Sequence, residues 1–164
     1  MRHNHGVDIS AKTDYAVRAL LAMAAAGSAN GPTDDRPVSV EELATRQGLP
    51  RKFLEAIVAD LRRAGLVTSR RGPSGGYVLA RPASEVSLGD VFRAVDGPLA
   101  EVRGLRPHET AYEGAAAHLP VVWVAVRASL RRVLDETSLE DVRTGALPAH
   151  IRELADGPNA WQNR

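Results

Sequence analysis

The chain has 164 residues, of which 44% are hydrophobic and 25% are charged, a balance typical of a globular protein with a buried core. It contains no cysteine, which excludes disulfide scaffolds, thiol catalysis and thiolate-bound zinc or iron–sulfur sites. Only 4% of the residues are aromatic, so we expect a core of Leu, Val and Ala built mainly from helices. No apolar run approaches the roughly 20 residues that span a bilayer, and we expect a cytoplasmic protein.

Positive charge is concentrated in one part of the sequence, although the net charge is only +1. Residues 46–71 contain seven basic and two acidic side chains. A local concentration of positive charge is what binding to phosphate groups requires. A solvated helix surface would show the same pattern, so charge alone leaves both interpretations open.

The first part of the chain predicts two helices separated by a loop. Apolar residues repeat at helical spacing from Ile9 to Ala26, and a turn-rich loop follows them. A short second helix is predicted over residues 40–47. Ser39 and Glu42 have the spacing of a capping box, in which each side chain accepts a hydrogen bond from the backbone N–H of the other residue.

A third helix is predicted to begin near Pro50 and to have two different faces. Its apolar stripe consists of Phe53, Leu54, Ile57, Val58 and Leu61. Its other face holds short or charged side chains, namely Arg51, Lys52, Glu55, Ala56, Ala59, Arg62 and Arg63. Two helices joined by a short glycine-containing turn form a helix-turn-helix, whose second helix enters a DNA groove, although an ordinary helical hairpin has the same pattern.

A β-hairpin is predicted directly after these helices, and we call it the wing. Leu66–Ser69 and Tyr77–Leu79 are its predicted strands, and residues 70–76 are its glycine-rich tip. A two-stranded hairpin is marginally stable alone, so we expect the wing to pack against the helices. Arg70 and Arg71 lie at the base of the tip, whose glycines allow backbone N–H groups to approach a phosphate.

The second half of the chain predicts a long loop followed by a long helix. A short helix is predicted at about residues 88–95, and residues 96–118 have no sustained period. Pro120 then begins a helix to about Glu136 whose apolar side chains surround more than one face. We therefore expect this helix to pack both on the first half of the chain and on a symmetry-related copy. A last helix is predicted to start at Ser138.

These patterns predict a mainly α fold with a small two-stranded β wing: a winged helix-turn-helix followed by a long dimerisation helix. We predict a DNA-binding domain at residues 9–82, and at 83–153 a linker helix, an effector-type loop and dimerisation helices. Residues 1–8 and 154–164 are predicted to be disordered tails. The residues predicted to form the dimer contact are Val122, Trp123, Val126, Leu130 and Val133.

Six runs of the sequence match a known pattern in their order and spacing. They are KTDYAVRAL at 12–20, RQGLPRKFLE at 46–55, LRRAGLV at 61–67, RGPSGGYVLA at 71–80, DGPL at 96–99 and the helix that contains Trp123. Together they span most of residues 9–142, and they resemble the Rrf2 family of winged helix-turn-helix transcription regulators. The run at 71–80 is the most specific of the six.

The resemblance implies a dimeric regulator, usually a repressor, that recognises a palindromic operator in the major groove. It places the base-recognising glutamate at Glu55, with Arg51 and Lys52 at the start of the recognition helix and the wing arginine at Arg71. The predicted DNA-binding residues are Ser39, Arg51, Lys52, Glu55, Arg70, Arg71, Ser74 and Gly75. Tyr15 is either a further DNA contact or a core residue, and we favour the core.

The sequence departs from the family at the loop where many members hold an iron–sulfur cluster with three cysteines. The corresponding loop, residues 100–118, has no cysteine, and Gly104 stands at the first cysteine position. We therefore expect no cofactor. Other side chains that could bind a metal ion lack the close spacing of a metal site. They are His108, Glu109, Glu113 and His118 in the loop and His3 and His5 near the start of the chain. If an effector exists, we expect an organic ligand or a partner protein, in a pocket between this loop and the helix near Trp123.

Two other functions compete with DNA binding. A protein-interaction module that keeps the winged fold without binding DNA is the main alternative, and the basic residues of 46–71 count against it. An enzyme is disfavoured, because no Ser/His/Asp set, carboxylate pair or metal motif has a convincing spacing. The expected partners are double-stranded DNA, a second copy of the chain and possible effectors, with no membrane.

Overall fold

The computed structural model describes residues 8–28 and 35–162. Its helices are α1 (Ala11–Ser28), α2 (Val40–Gln47), α3 (Arg51–Arg63), α4 (Leu88–Asp96), α5 (Leu119–Asp135), α6 (Leu139–Thr144) and α7 (Ala149–Ala155). Its strands, β1 (Val67–Arg70) and β2 (Gly76–Leu79), pair in antiparallel orientation to form the wing. The predicted mainly α fold with a two-stranded wing is confirmed. Within the described ranges, no helix has the length and apolar character needed to cross a bilayer.

One hydrophobic core joins the two halves of the chain. Leu20 of α1 and Leu54 of α3 are fully buried in it, together with Val91 of α4 and Leu139 of α6. Backbone hydrogen bonds hold the entrances of α4 and α6 side by side, since Leu139 N donates to Val86 O at 2.9 Å. The core therefore continues across the boundary predicted at residue 82.

An ion pair links α1 to α3 at the edge of this core. Lys12 Nζ lies 2.6 Å from Asp60 Oδ2, and Arg63 donates to the other oxygen of the same carboxylate at 2.8 Å. The hydrogen bond from Lys12 is the largest cause that holds the pKa of Asp60 below its ordinary value, with Arg63 contributing and burial opposing. The pKa of Asp60 is lower in the folded state than in the unfolded state. The ionised Asp60 carboxylate therefore stabilises the fold at pH values above its unfolded-state pKa. That stabilisation is lost as the pH falls through the folded-state value.

We expect Asp60→Asn to lower the free energy of unfolding by about 1 kcal/mol near neutral pH. The difference from the parent protein should shrink as the pH falls below about 4, where an ordinary Asp becomes protonated. Urea unfolding over a pH series measures both effects. Asp14→Asn is the matched control, because the exposed Asp14 lies 3.7 Å from Arg18, and it should cost less than about 0.5 kcal/mol. A difference for Asp60→Asn that stayed constant into strong acid would contradict this account.

The predicted capping box at the start of α2 is only half formed. Ser39 Oγ accepts the Glu42 N–H at 3.1 Å, as predicted. The Glu42 carboxylate does not turn back to Ser39; it lies 2.8 Å from Arg36 and 2.6 Å from Arg46. Two guanidinium groups attract a carboxylate more strongly than one backbone N–H does. The hydrogen bond from Arg36 is the main reason that the pKa of Glu42 lies below its ordinary value.

The C-terminal half contains more regular structure than the sequence predicts. The predicted loop at 96–118 includes two short 3-10 helices, Pro107–Glu109 and Gly114–Ala116. Helix α7 was not predicted, and it ends inside the segment predicted to be a disordered tail. Trp161 Nε1 donates to Ala155 O at 2.7 Å in the same segment, and beyond the end of α7 the disordered tail stays a prediction. The predicted N-terminal tail lies outside the described residues except for Asp8.

Candidate nucleic-acid interface

Helix α3 buries the predicted apolar stripe and exposes the predicted charged face, with one exception. Leu54, Ile57, Val58 and Leu61 are buried. Phe53, predicted to be buried with them, is 37% exposed. Its ring lies at the border of the stripe and packs edge to face on Tyr15 of α1, with centroids 5.7 Å apart. Tyr15 is half-buried and packed against the core, as the favoured interpretation predicts.

The wing is attached to the entrance of α2 by backbone pairing. Val38 and Tyr77 exchange two backbone hydrogen bonds, each 2.9 Å long. Beside them, a Cβ on Gly76 would lie 2.6 Å from the carbonyl carbon and oxygen of Val38, so only glycine allows this approach. The wing therefore lies directly beside Ser39, the N-cap of α2.

An ion-pair network joins the start of α2 to the start of α3. Arg51 Nη1 lies 2.5 Å from Glu41 Oε1, and Arg51 Nε lies 2.7 Å from Glu55 Oε1. The hydrogen bond to Glu55 is the main cause that raises the pKa of Arg51 above its ordinary value, and the charge of Glu41 adds to it. All three side chains are exposed, so these pairs contribute little to stability and can exchange for contacts with DNA.

These contacts place the wing, the start of α2 and the exposed side of α3 next to one another in space. We call this surface the α3–wing face, and it contains Ser39, Arg51, Lys52, Glu55, Arg62 and residues 70–75 of the wing tip. The structure thus brings the sequence-predicted residues into one region through Val38, Ser39 and Glu41.

The wing tip is a tight turn that separates its two arginines. Gly75 N donates to Gly72 O at 2.9 Å, and Gly72 has a φ of 114°, a conformation that favours glycine. A Cβ on Gly75 would collide with the carbonyl oxygen of Arg70. The Arg70 side chain turns back and donates to Asp35 O at 3.1 Å, whereas Arg71 and the neighbouring Ser74 are exposed.

The basic side chains of residues 46–71 divide into paired and unpaired groups. Arg46, Arg51 and Arg63 each form an ion pair, and Arg70 donates to the backbone oxygen of Asp35. In the part of the chain that the structure describes, the charged groups of the other three, Lys52, Arg62 and Arg71, have neither a carboxylate within 4 Å nor a hydrogen-bond partner. Lys52 and Arg71 were predicted contacts. Arg62 was not among them, although its place on the charged face of the predicted helix was a signal that could have identified it.

None of the 17 residues of α5 is buried by the rest of the described chain. Of the predicted dimer residues, Val122 and Val126 are 51% and 37% exposed, while the other three, Trp123, Leu130 and Val133, are half-buried. Val121 and Val124 were not in the predicted set and are also exposed, at 70% and 42%. The Trp123 indole N–H is buried without an acceptor among the described residues. Apolar surface on α5 is therefore left uncovered by its own chain.

Comparison with known proteins identifies the family. The family model described as "Rrf2: Iron-dependent Transcriptional regulator" matches residues 9–144. The chain belongs to the Rrf2 family. This Rrf2 protein is a transcriptional regulator, and its relatives are regulators rather than enzymes.

Relatives and solved structures match the Rrf2 protein over most of its length. A protein of Mycobacterium tuberculosis (strain H37Rv), named as an HTH-type transcriptional regulator, is 46% identical over 155 residues, covering 94% of this chain and 92% of the relative. The structure of CymR, the global cysteine regulator of B. subtilis, has a TM-score of 0.69 and 31% identity over 84% of this chain and 97% of that chain. The structure of IscR from T. potens has a TM-score of 0.65 and 33% identity over 86% and 89% of the two chains.

The donor set of the Rrf2 protein does not fit an iron–sulfur cluster of the family type. Val102 and Leu105 exchange backbone hydrogen bonds of 2.8 and 3.0 Å around Arg103 and Gly104, whose φ values are 53° and 78°. Gly104, which the resemblance places at the first cysteine position, is therefore the left-handed glycine of a tight turn. The chain has no cysteine, and in the described ranges no three His, Asp or Glu side chains converge to hold a metal ion. His3 and His5 lie outside the described residues.

Proposed function

We propose that this Rrf2 regulator binds a palindromic operator in double-stranded DNA as a homodimer and represses transcription in the cytoplasm. The observation that best supports the proposal is the α3–wing face with its three unpaired cations, Lys52, Arg62 and Arg71. A cation without a carboxylate partner gives up no ion pair when it binds a phosphate, so each can contribute fully to DNA affinity.

The two parts of the α3–wing face would make different contacts. Helix α3 would enter the major groove, where Glu55 accepts a hydrogen bond from the amino group of a cytosine. Arg51 would exchange its carboxylate partners for a phosphate. Ser39 Oγ already accepts the Glu42 N–H, and its own O–H remains available to donate to a phosphate. The wing, through Arg71, Ser74 and Gly75, would contact the neighbouring backbone or minor groove.

The homodimer follows from the uncovered side of α5. At 3.6 residues per turn, Val122, Val126 and Val133 share one side of this helix, and a two-fold axis would bury that side against its copy. Residues 9–82 would then contact DNA, and residues 83–153 would provide the dimer contact. A dimer that occupies two half-sites at a promoter would exclude the polymerase, which is why we propose repression.

Arg71→Ala is expected to weaken binding about tenfold on every duplex, because a phosphate contact carries no sequence information. Fluorescence anisotropy with duplexes from the protein's own promoter region measures the affinity. The dependence of log K on log salt should become shallower by about one charge. Arg132→Ala, which removes an exposed arginine of α5, is the matched control and should leave the affinity unchanged.

Glu55→Ala distinguishes base recognition from phosphate binding in the same assay. We expect it to reduce the preference for operator over altered duplexes by about 10-fold while non-specific affinity stays the same. If the parent protein has negligible affinity for any duplex near physiological salt, the proposal is wrong and a protein-interaction module is the better description.

A further inference from the structure

A cavity of about 520 Å³, separate from the α3–wing face, is lined by four arginines. They come from three segments of the chain: Arg93 from α4, Arg106 from the following loop, and Arg127 and Arg131 from α5. The remaining lining residues are Gly97, Pro98, Leu99 and Ala100, and none of the lining side chains is acidic. The volume lies in the range of pockets that hold small molecules.

The positive charge of this cavity is only partly neutralised. Arg93 Nη2 and Arg131 Nε share the carboxylate of Asp135, at 2.5 and 3.3 Å. Arg127 Nη1 lies 3.4 Å from His108 Nδ1. Among the described residues, no carboxylate oxygen lies within 4 Å of the guanidinium nitrogens of Arg106 or Arg127, and the nearby Glu109 carboxylate accepts from the backbone N–H of Arg106 at 2.9 Å. Four guanidinium groups therefore face one space, and two of them have no acidic partner.

We propose that this cavity binds a small organic anion with at least two carboxylate or phosphate groups. Guanidinium groups bind both kinds of oxyanion through paired, charge-assisted hydrogen bonds. Two anionic groups on one ligand match the two arginines that lack a carboxylate. The Pro98, Leu99 and Ala100 wall offers apolar contact to the carbon skeleton between them.

The cavity stays open in the proposed dimer. Arg127 and Arg131 are one turn apart and lie on the same side of α5. By the same periodicity, Val122 and Val126 lie on a different side of α5 from Arg127 and Arg131. The inward-facing Trp123 lies between these two sides. A second copy packed on these valines would therefore leave the arginines accessible. The cavity lies one turn of α5 beyond Trp123, near which the sequence predicts an effector pocket, but Trp123 itself does not line it.

Isothermal titration of the full chain with citrate and with pyrophosphate, at constant ionic strength, tests the proposal. We expect at least one of them to bind with a Kd below about 1 mM. The two anions distinguish a carboxylate from a phosphate ligand, and uncharged triethyl citrate should not bind. Arg106→Gln and Arg127→Gln should each weaken binding at least about 10-fold, and Arg132→Gln on the outer side of α5 should not.

Three results would overturn the anion site. They are a Kd above about 1 mM for both anions, an equal loss of binding in Arg132→Gln, and a change in dimer affinity in Arg106→Gln without any anion binding. The last would mean that carboxylates of a second copy fill the cavity. Because Arg106 is exposed, Arg106→Gln should fold even if Arg127→Gln does not. The titration contains no DNA, so its outcome is independent of the proposed DNA binding.

Discussion

Val126→Glu is expected to leave the protein folded but to convert the proposed dimer into monomers. Val126 lies on the side of α5 that its own chain leaves uncovered, next to Val122. In a two-fold dimer the substitution occurs twice, so two carboxylates would be placed in one apolar contact. Burying charges without partners costs several kcal/mol, and we expect the dimer dissociation constant to rise at least about 100-fold.

Analytical ultracentrifugation at micromolar concentration measures this change, and operator affinity should fall with it because a monomer contacts only one half-site. Ala128→Glu is the matched control. Ala128 is exposed on the side of α5 that holds Val121 and Val124, away from Val122 and Val126, so its glutamate should stay in solvent if the Val122 side forms the dimer contact. A Val126→Glu protein that remained dimeric would place the dimer contact elsewhere, and a monomeric parent protein would refute the homodimer.

Gly76→Ala is expected to detach the wing and to lower the free energy of unfolding by about 3 kcal/mol. The added Cβ would lie 2.6 Å from the carbonyl atoms of Val38 and 2.9 Å from Ser39 N. These are all backbone atoms, so relief requires separating Val38 from Tyr77 and losing both of their hydrogen bonds. Because the wing presents Arg71, DNA affinity should fall as well.

Urea unfolding and the anisotropy assay measure these two effects. Gly65→Ala is the matched control, because Gly65 has a φ of 73° but open space around its Cβ position. It should cost about 1 kcal/mol from backbone strain alone, with the wing in place and DNA affinity retained. Equal costs for the two variants would show that the close approach of Gly76 to Val38 does not hold the wing.

Local signals were enough to predict most of the secondary structure. Apolar spacing and the Ser39 cap predicted α2 over residues 40–47, the range observed. The strand of the wing predicted at 66–69 is observed at 67–70. Helix α7 was missed because its seven residues are too few for an apolar period to become visible.

Most residues of the α3–wing face were predicted as a group from the sequence, but their contacts were not. Residue type and order placed Arg51, Glu55 and Arg71 in a helix-turn-helix and a wing. Their pairing depends on groups that come from other elements, such as Glu41 beside Arg51 and Asp35 O beside Arg70. Sequence spacing between elements does not set such distances, so which cations are unpaired could not be predicted.

The sequence by itself determined the winged fold, the family, the basic helix and the absence of thiolate ligands, because each depends on residue type and on short-range spacing. Only the tertiary structure decided which cations of the α3–wing face are unpaired and which valines of α5 are uncovered. It alone brought Arg93, Arg106 and Arg127 to one cavity. The reason is physical: charge pairing and burial depend on distances between residues far apart in sequence, and packing around the common core sets those distances.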